Sequence, residues 1–226
     1  MRTGIAAIIF DLDGTLIDSL EDLADAVNHA LGAHNLPKHP VEAYKYFVGD
    51  GMETLVRRAA PENTPDSLVQ TLLARAKEIY GQNWAKKTRP YDGIMELLRQ
   101  LSAKGIALAV LSNKPHEFTG EIVEHFFPQR FFPAQGLPAG CKAKPDPTLA
   151  LEIAKKLSLD PARIAFMGDS RTDMDTAGNA GMLPVGVLWG FRLEKELRDH
   201  GAKIIAAHPS DLIKELSTAG FPLREA

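Results

Sequence analysis

Ile5-Ala6-Ala7-Ile8-Ile9-Phe10-Asp11-Leu12-Asp13-Gly14-Thr15-Leu16 is the stretch of sequence that decides the fold. Its first six residues are apolar and rich in β-branched side chains, a pattern that predicts a fully buried strand of a parallel sheet. In an open parallel sheet, ligands bind beyond the carboxyl ends of the strands. Asp11 and Asp13 are therefore predicted to lie at the edge of the sheet where chemistry takes place.

Asp11 and Asp13 carry like charges only one residue apart, and a metal ion or a shared proton would relieve their repulsion. Mg²⁺ suits such a site, because it binds one or two carboxylates and keeps waters for a phosphate ligand. A carboxylate can also act as a nucleophile and form an aspartyl-phosphate. The alternative is that this acidic stretch is only a surface turn that closes a strand.

The composition excludes several classes of protein. The chain has 226 residues, 45% of them hydrophobic and 24% charged, which is typical of a globular protein. A net charge of -3 without a long basic block argues against a nucleic-acid partner. One cysteine, Cys141, excludes an internal disulfide framework and fits a reducing compartment.

The sequence contains no apolar stretch long enough to span a membrane, and its first strand begins too early to leave room for a signal peptide. We therefore expect a cytoplasmic protein that binds neither a membrane nor nucleic acid. The oligomeric state is expected to be a monomer or a homodimer.

The periodicity of apolar residues divides the chain into two domains. Helical periodicity without buried strands covers residues 17–86, which predicts an inserted α-helical domain. Strands and helices alternate from residue 87 onward, so residues 1–16 and 87–226 are predicted to form an α/β core with a doubly wound, parallel, Rossmann-like sheet. Further strands are predicted at 106–111, 163–167, 185–188 and 204–206, with a short edge strand at Phe131-Phe132.

Polar residues follow three of the predicted strands. Ser112 and Asn113 come after the second strand and Asp169 after the third, while Lys144 lies in a loop expected at the same edge. Each alone is more often a turn, a helix cap or a solvated residue. Together with Asp11 they supply a nucleophile, hydrogen-bond donors, a fixed cation and metal ligands, which predicts a phosphate site.

These residues also resemble a known family. The motifs that carry the resemblance are Asp11-Leu12-Asp13-Gly14-Thr15, Leu111-Ser112-Asn113, Lys144-Pro145 and Gly168-Asp169-Ser170-Arg171-Thr172-Asp173. They are similar to the four ordered motifs of the haloacid dehalogenase-like superfamily, and the resemblance covers nearly the whole chain.

The resemblance implies a division of roles among the carboxylates. Asp11 would attack phosphorus, and Asp13 would protonate the leaving alkoxide and later deprotonate the hydrolytic water. Mg²⁺ would be bound by Asp11, by the main-chain carbonyl of Asp13 and by Asp169, with Asp173 orienting the waters of the metal or Lys144.

The resemblance also implies a phosphate cradle. Ser112 and Lys144 would hold the transferring phosphoryl oxygens, together with backbone amides around Leu12 and Asn113. Dehalogenases and phosphonate hydrolases of this superfamily lack an Asp two residues after the nucleophile. Asp13 therefore favours phosphate-ester chemistry.

The choice of substrate is expected to depend on the helical domain, which resembles the cap that closes over the site in this superfamily. Residues 47–52 and 181–190 resemble phosphoglycolate phosphatases, which implies that the substrate is 2-phosphoglycolate or a similar small phosphate monoester. Gly49 could bring a backbone amide close to such an anion, or it could belong to an ordinary turn between helices. Arg57 and Arg58 are candidates for binding a substrate carboxylate, although such a pair is more often a solvated helix face, and Arg171 is a further candidate.

Other functions stay open. Within the superfamily these are a pyrophosphatase, a nucleotidase, and a sugar-phosphate phosphatase or mutase. Mutases of this type carry a His early in the first cap helix, where this chain has Leu23. A non-catalytic protein that binds a phosphate ligand is the alternative from another class, although such a protein would not need Asp13. Trp189 is predicted to be a packing residue.

Overall fold

The computed structural model describes residues 4–128, 131 and 133–224. Their contacts divide the chain into two compact units. One unit holds the chain up to Leu16 and from Pro90 onward, and the other holds Ile17–Arg89. None of the helices within the described ranges has both the length and the apolar character needed to cross a membrane.

A six-stranded parallel sheet forms the centre of the first unit. The strands of the described chain are, in order, β1 (Ala7–Phe10), β2 (Ile17–Asp18), β3 (Arg89–Pro90), β4 (Ala107–Pro115), β5 (Ala134–Leu137), β6 (Ile164–Gly168), β7 (Leu183–Val187) and β8 (Ile204–Ala206). The order in the large sheet is β5-β4-β1-β6-β7-β8, whereas β2 and β3 pair separately. All pairings in the large sheet are parallel, which confirms the predicted doubly wound α/β sheet.

The strand order places β1 between β4 and β6, so Ile9 pairs with Ala109 on one side and Phe166 on the other. All four residues of β1 are fully buried. This burial explains the uninterrupted apolar run, since a strand covered on both faces has no polar side. The strands β4 and β5 follow on one side of β1, whereas β6, β7 and β8 follow on its other side. Ligands of doubly wound sheets bind at the point where the strand order reverses in this way.

Ten α-helices accompany the strands in the described ranges. They are α1 (Leu20–Ala33), α2 (Tyr44–Phe47), α3 (Met52–Ala59), α4 (Asp66–Asn83), α5 (Ile94–Ala103), α6 (His116–Phe126), α7 (Thr148–Leu157), α8 (Arg171–Asn179), α9 (Glu194–Asp199) and α10 (Leu212–Thr218). The first four belong to the unit Ile17–Arg89 and the rest to the unit with the sheet. In α7, Leu149 and Ile153 lie one turn apart and pack in one cluster with Leu111 of β4 and Phe166 of β6.

The unit of α1–α4 contains a buried carboxylate that joins its two ends. Asp22 Oδ2 in α1 accepts hydrogen bonds from Lys87 N (2.9 Å), Thr88 N (2.8 Å) and Thr88 Oγ1 (2.8 Å). The segment after α4 is therefore fixed against the first helix.

Two predictions about strands are wrong. The second long strand does not end at residue 111 but continues to Pro115, because β5 pairs with it as far as Leu137, across a shift of register. Ser112 and Asn113 therefore lie within β4 rather than after it. The edge strand is Ala134–Leu137 rather than Phe131-Phe132: Phe131 is outside any strand, and Phe132 is outside the described residues.

Candidate active site

Lys144 is at the centre of a buried cluster beyond the carboxyl end of β1. Its Nζ donates to Asp11 Oδ1 (2.7 Å), Asp173 Oδ1 (2.6 Å) and Leu111 O (3.1 Å). These three bonds use all the hydrogen atoms of the ammonium group. Asp11 follows β1, Leu111 lies in β4 and Asp173 in the first turn of α8, so one side chain connects three separate parts of the core.

The loop that carries Lys144 is held by a side chain of β4. Lys144 N donates to Asn113 Oδ1 (2.8 Å), and Asn113 Nδ2 donates to Lys144 O (3.4 Å). The Asn113 side chain therefore positions the backbone of Lys144. The phosphate-binding role of the Asn113 backbone amide stays a prediction.

Three buried carboxylates converge in this cluster. Asp11, Asp169 and Asp173 each offer an oxygen atom, and these atoms lie within 4.8 Å of one another. Asp173 Oδ2 accepts bonds from Ser170 N (3.1 Å) and Ser170 Oγ (2.7 Å). Asp169 Oδ2 accepts a bond from Phe191 N (2.7 Å). The backbone at the start of α8 and after β7 thus fixes the direction of both carboxylates.

Burial and mutual repulsion change the ionisation of this cluster. Burial, followed by repulsion from Asp173, raises the pKa of Asp11 from 3.8 to about 7, although Lys144 opposes the shift. Burial, with repulsion from Asp173 and Asp11, also raises the pKa of Asp169 well above its ordinary value. For Lys144, burial lowers the pKa, but attraction to Asp11 and Asp173 outweighs it, so the net pKa is raised. One ammonium therefore does not neutralise the three acids.

The donor set fits a hard divalent cation. Carboxylate oxygens are the ligands that Mg²⁺ prefers, and the unneutralised negative charge of the cluster would favour its binding. Within the described part of the chain, Lys144 is the only donor to the Asp11 carboxylate and Phe191 the only donor to that of Asp169. Both acids therefore keep an oxygen atom that accepts no hydrogen bond from those residues.

A second lysine lies beside Asp13. Lys114 Nζ is 3.0 Å from Asp13 Oδ2, and these two side chains are only 10% and 13% exposed. Lys114 N also donates to the buried Ser112 Oγ (3.2 Å). Lys114 is not among the site residues predicted from the sequence, although its position directly after Ser112-Asn113 was an available signal.

The loop after β7 contacts the loop after β1. Trp189 Nε1 donates to Thr15 O (2.9 Å), so Trp189 makes a specific hydrogen bond in addition to its packing. A Cβ atom at Gly190 would lie 2.3 Å from Gly14 O and 2.4 Å from Asp169 Cβ. Only glycine allows these two loops to approach this closely.

Two other predicted residues lie outside the network of Lys144. Leu12 is fully buried after β1, where its carbonyl accepts a bond from Leu16 N (3.0 Å). Arg171 is exposed at the start of α8, and its backbone N–H is 3.4 Å from Glu196 Oε1. No described hydrogen bond or ion pair connects the Arg171 side chain with the carboxylates, so its role stays a prediction.

The remaining predicted residues belong to the unit of α1–α4. Gly49 lies between α2 and α3 with a φ of 125°. Arg58 donates to Asp50 Oδ2 (2.5 Å) and to Phe47 O (3.1 Å) and thereby braces the loop that contains Gly49. Its partner in the prediction, Arg57, binds Glu53 and Asp66 on the exposed helix surface.

Comparisons with known proteins agree on one family. The family model described as haloacid dehalogenase-like hydrolase matches residues 8–187. The phosphoglycolate phosphatase of Pseudomonas putida is 34% identical over 218 residues, which cover 92% of this chain and 76% of that protein. The phosphoglycolate phosphatase of Haemophilus influenzae is 36% identical over 203 residues, or 84% of this chain and 89% of that protein.

Solved structures show the same architecture. A crystal structure from Lactobacillus delbrueckii, of a protein provisionally assigned as a phosphoglycolate phosphatase, has a TM-score of 0.89 and 33% identity. The match covers 95% of this chain and 98% of that one.

The raised pKa of Asp11 predicts a pH-dependent stability of the metal-free protein. The folded state holds this proton up to a pH of about 7, whereas the unfolded chain releases it near 3.8. Between these values the folded state binds more protons, so the free energy of unfolding falls as the pH rises. The loss is at most about 1.4 kcal/mol for each pH unit.

Urea unfolding in EDTA between pH 4.5 and 8 measures this effect. We expect wild type to lose stability more steeply than Asp11→Asn, which has no such carboxyl group. Parallel curves for the two proteins would contradict the assignment.

Gly190→Ala is expected to destabilise the protein, because its Cβ would force apart the Gly14 carbonyl and Asp169. Overpacking of this kind costs about 1–3 kcal/mol, measured as a lower urea midpoint. Gly178→Ala in α8 is the matched control, since no atom lies within 4 Å of its added Cβ, and it should match or exceed wild type. Equal midpoints for Gly190→Ala and wild type would disprove the close-approach argument.

Proposed function

We propose that this chain, which belongs to the haloacid dehalogenase-like hydrolase family, is a Mg²⁺-dependent phosphatase whose substrate is 2-phosphoglycolate. The observation that carries the proposal is the buried arrangement of Lys144 with Asp11, Asp169 and Asp173 beyond the parallel sheet. The substrate is suggested by relatives named phosphoglycolate phosphatase that are 34% and 36% identical over most of the chain.

The contacts of Asp11 suit a nucleophile. Lys144 binds Oδ1 and fixes the carboxylate, while Oδ2 receives no bond from the described residues. In our proposal Oδ2 attacks phosphorus, the bond to the leaving oxygen breaks, and an aspartyl-phosphate forms. Because all three donors of Lys144 are used inside the protein, Lys144 acts on the phosphoryl group through its charge.

Mg²⁺ is the cofactor that the donor set favours. Asp11, Asp169 and the main-chain carbonyl of Asp13 would hold it, with Asp173 assisting through Lys144 or through bound water. When bound, the ion would supply positive charge that lowers the repulsion between Asp11 and the phosphate dianion.

The other residues of the site complete the proposed reaction. Asp13 gives a proton to the leaving alkoxide and later takes one from the water that hydrolyses the intermediate. Ser112 Oγ accepts a bond from Lys114 N, so its hydroxyl hydrogen can be donated to a phosphoryl oxygen. Backbone amides of Leu12 and Asn113 are proposed to bind the remaining phosphoryl oxygens. Substrate binding by Gly49 stays a prediction.

A substrate panel tests the proposal. Phosphate release would be measured from 2-phosphoglycolate, pyrophosphate, nucleotides and sugar phosphates, each with Mg²⁺ and with EDTA. We expect Mg²⁺-dependent turnover with a strong preference for 2-phosphoglycolate, and none above background for Asp11→Asn. Turnover spread over other substrates would contradict only the substrate, whereas no turnover at all would favour a phosphate-binding protein.

The proposed acid role of Asp13 makes a separate prediction. The leaving group of an activated aryl phosphate needs little protonation, whereas the alkoxide that leaves an alkyl phosphate must be protonated as it departs. Asp13→Asn should therefore lose roughly 100-fold or more in kcat on an alkyl phosphate and clearly less on 4-nitrophenyl phosphate. Equal losses on the two substrates would contradict the acid role.

A further inference from the structure

The ion pair between Lys114 and Asp13 is not explained by the transfer of the phosphoryl group. Charge on that group is already faced by Lys144, whose ammonium binds Asp11 and Asp173. Lys114 is instead 3.0 Å from Asp13, the carboxyl group proposed to meet the leaving oxygen. The site thus has two lysines, one beside the nucleophile and one beside the proposed acid.

Lys114 is also held in place and shielded from water. Its backbone N–H donates to Ser112 Oγ (3.2 Å), which ties it to a residue of the proposed phosphate cradle. Its side chain is only 10% exposed, so its charge is weakly screened by solvent. A weakly screened cation acts strongly on any charge carried by the neighbouring leaving group.

From this placement we propose that Lys114 is a specificity-determining residue that recognises a negative charge on the leaving alcohol, close to the ester oxygen. The inference rests on the proposed phosphatase function. In 2-phosphoglycolate the carboxylate is bonded directly to the carbon that bears the ester oxygen, so a leaving oxygen at Asp13 brings this carboxylate near Lys114. A neutral alcohol in the same position forms no ion pair.

The alternative explanation is that Lys114 only neutralises and orients Asp13. The two roles predict different effects of a Lys114 substitution on the turnover of different substrates. An orienting role affects every alkyl phosphate alike, whereas recognition of a leaving-group anion affects only substrates that carry one.

The test compares 2-phosphoglycolate with 2-phosphoglycolamide, an isostere in which a neutral amide replaces the carboxylate. The measured quantity is the ratio of kcat/KM for the acid to kcat/KM for the amide, with Mg²⁺ present. Wild type should favour the acid by roughly tenfold or more, because a close charge pair in a partly desolvated site contributes at least this much to binding. Lys114→Met and Lys114→Gln should bring the ratio close to one, and Lys114→Arg should restore part of it.

Lys195→Met is the matched control, because Lys195 is 85% exposed and pairs with Asp199 on α9. It should keep the ratio of wild type. An equal loss on acid and amide in Lys114→Met would overturn the inference and leave only the orienting role.

A wild-type ratio near one, with Mg²⁺-dependent turnover of both esters, would also overturn it and needs no variant to fold. Failure of the proposed function would be recognised separately, as an absence of turnover of any phosphate ester by wild type.

Discussion

The rest of the site depends on the ion pairs that the buried Lys144 ammonium makes with Asp11 and Asp173. Transfer of these charges out of water costs several kcal/mol per ion, and attraction repays that cost only when the geometry is well fixed. Here Nζ makes three hydrogen bonds of 2.6–3.1 Å, to Asp11 directly after β1, to Leu111 in β4 and to Asp173 in α8. Loss of one partner would leave an uncompensated buried charge, so the three elements must keep their relative positions.

Neutral hydrogen-bonding groups supply much of this fixation. The Asn113 side chain binds both backbone groups of Lys144, Ser170 binds Asp173, and the N–H of Phe191 binds Asp169. Each of these contacts holds a charged residue through a neutral partner. These neutral groups thus orient the carboxylates, and a divalent ion could replace the protons that the raised pKa values of Asp11 and Asp169 retain.

The sequence predicted the parallel sheet, because an apolar run rich in β-branched residues, such as 5–10, is typical of a strand that is buried on both faces. It predicted that Asp11 and Lys144 lie in one site, because loops at the carboxyl ends of parallel strands share one edge of the sheet. It could not predict that β4 continues through Ser112, since this depends on pairing with β5. The contacts of Lys114 and Gly190 were likewise inaccessible, because they arise between segments far apart in the chain.

The two lysines show why placement matters more than residue type in this site. Lys144 has all its donors bound inside the protein, so its charge is fixed beside the proposed nucleophile. Lys114 lies beside Asp13, on the side where the leaving group is proposed to depart. Phosphoryl transfer moves negative charge from the attacking oxygen towards the leaving oxygen. A cation beside the leaving oxygen would stabilise the negative charge that develops there, and it can also distinguish one leaving group from another.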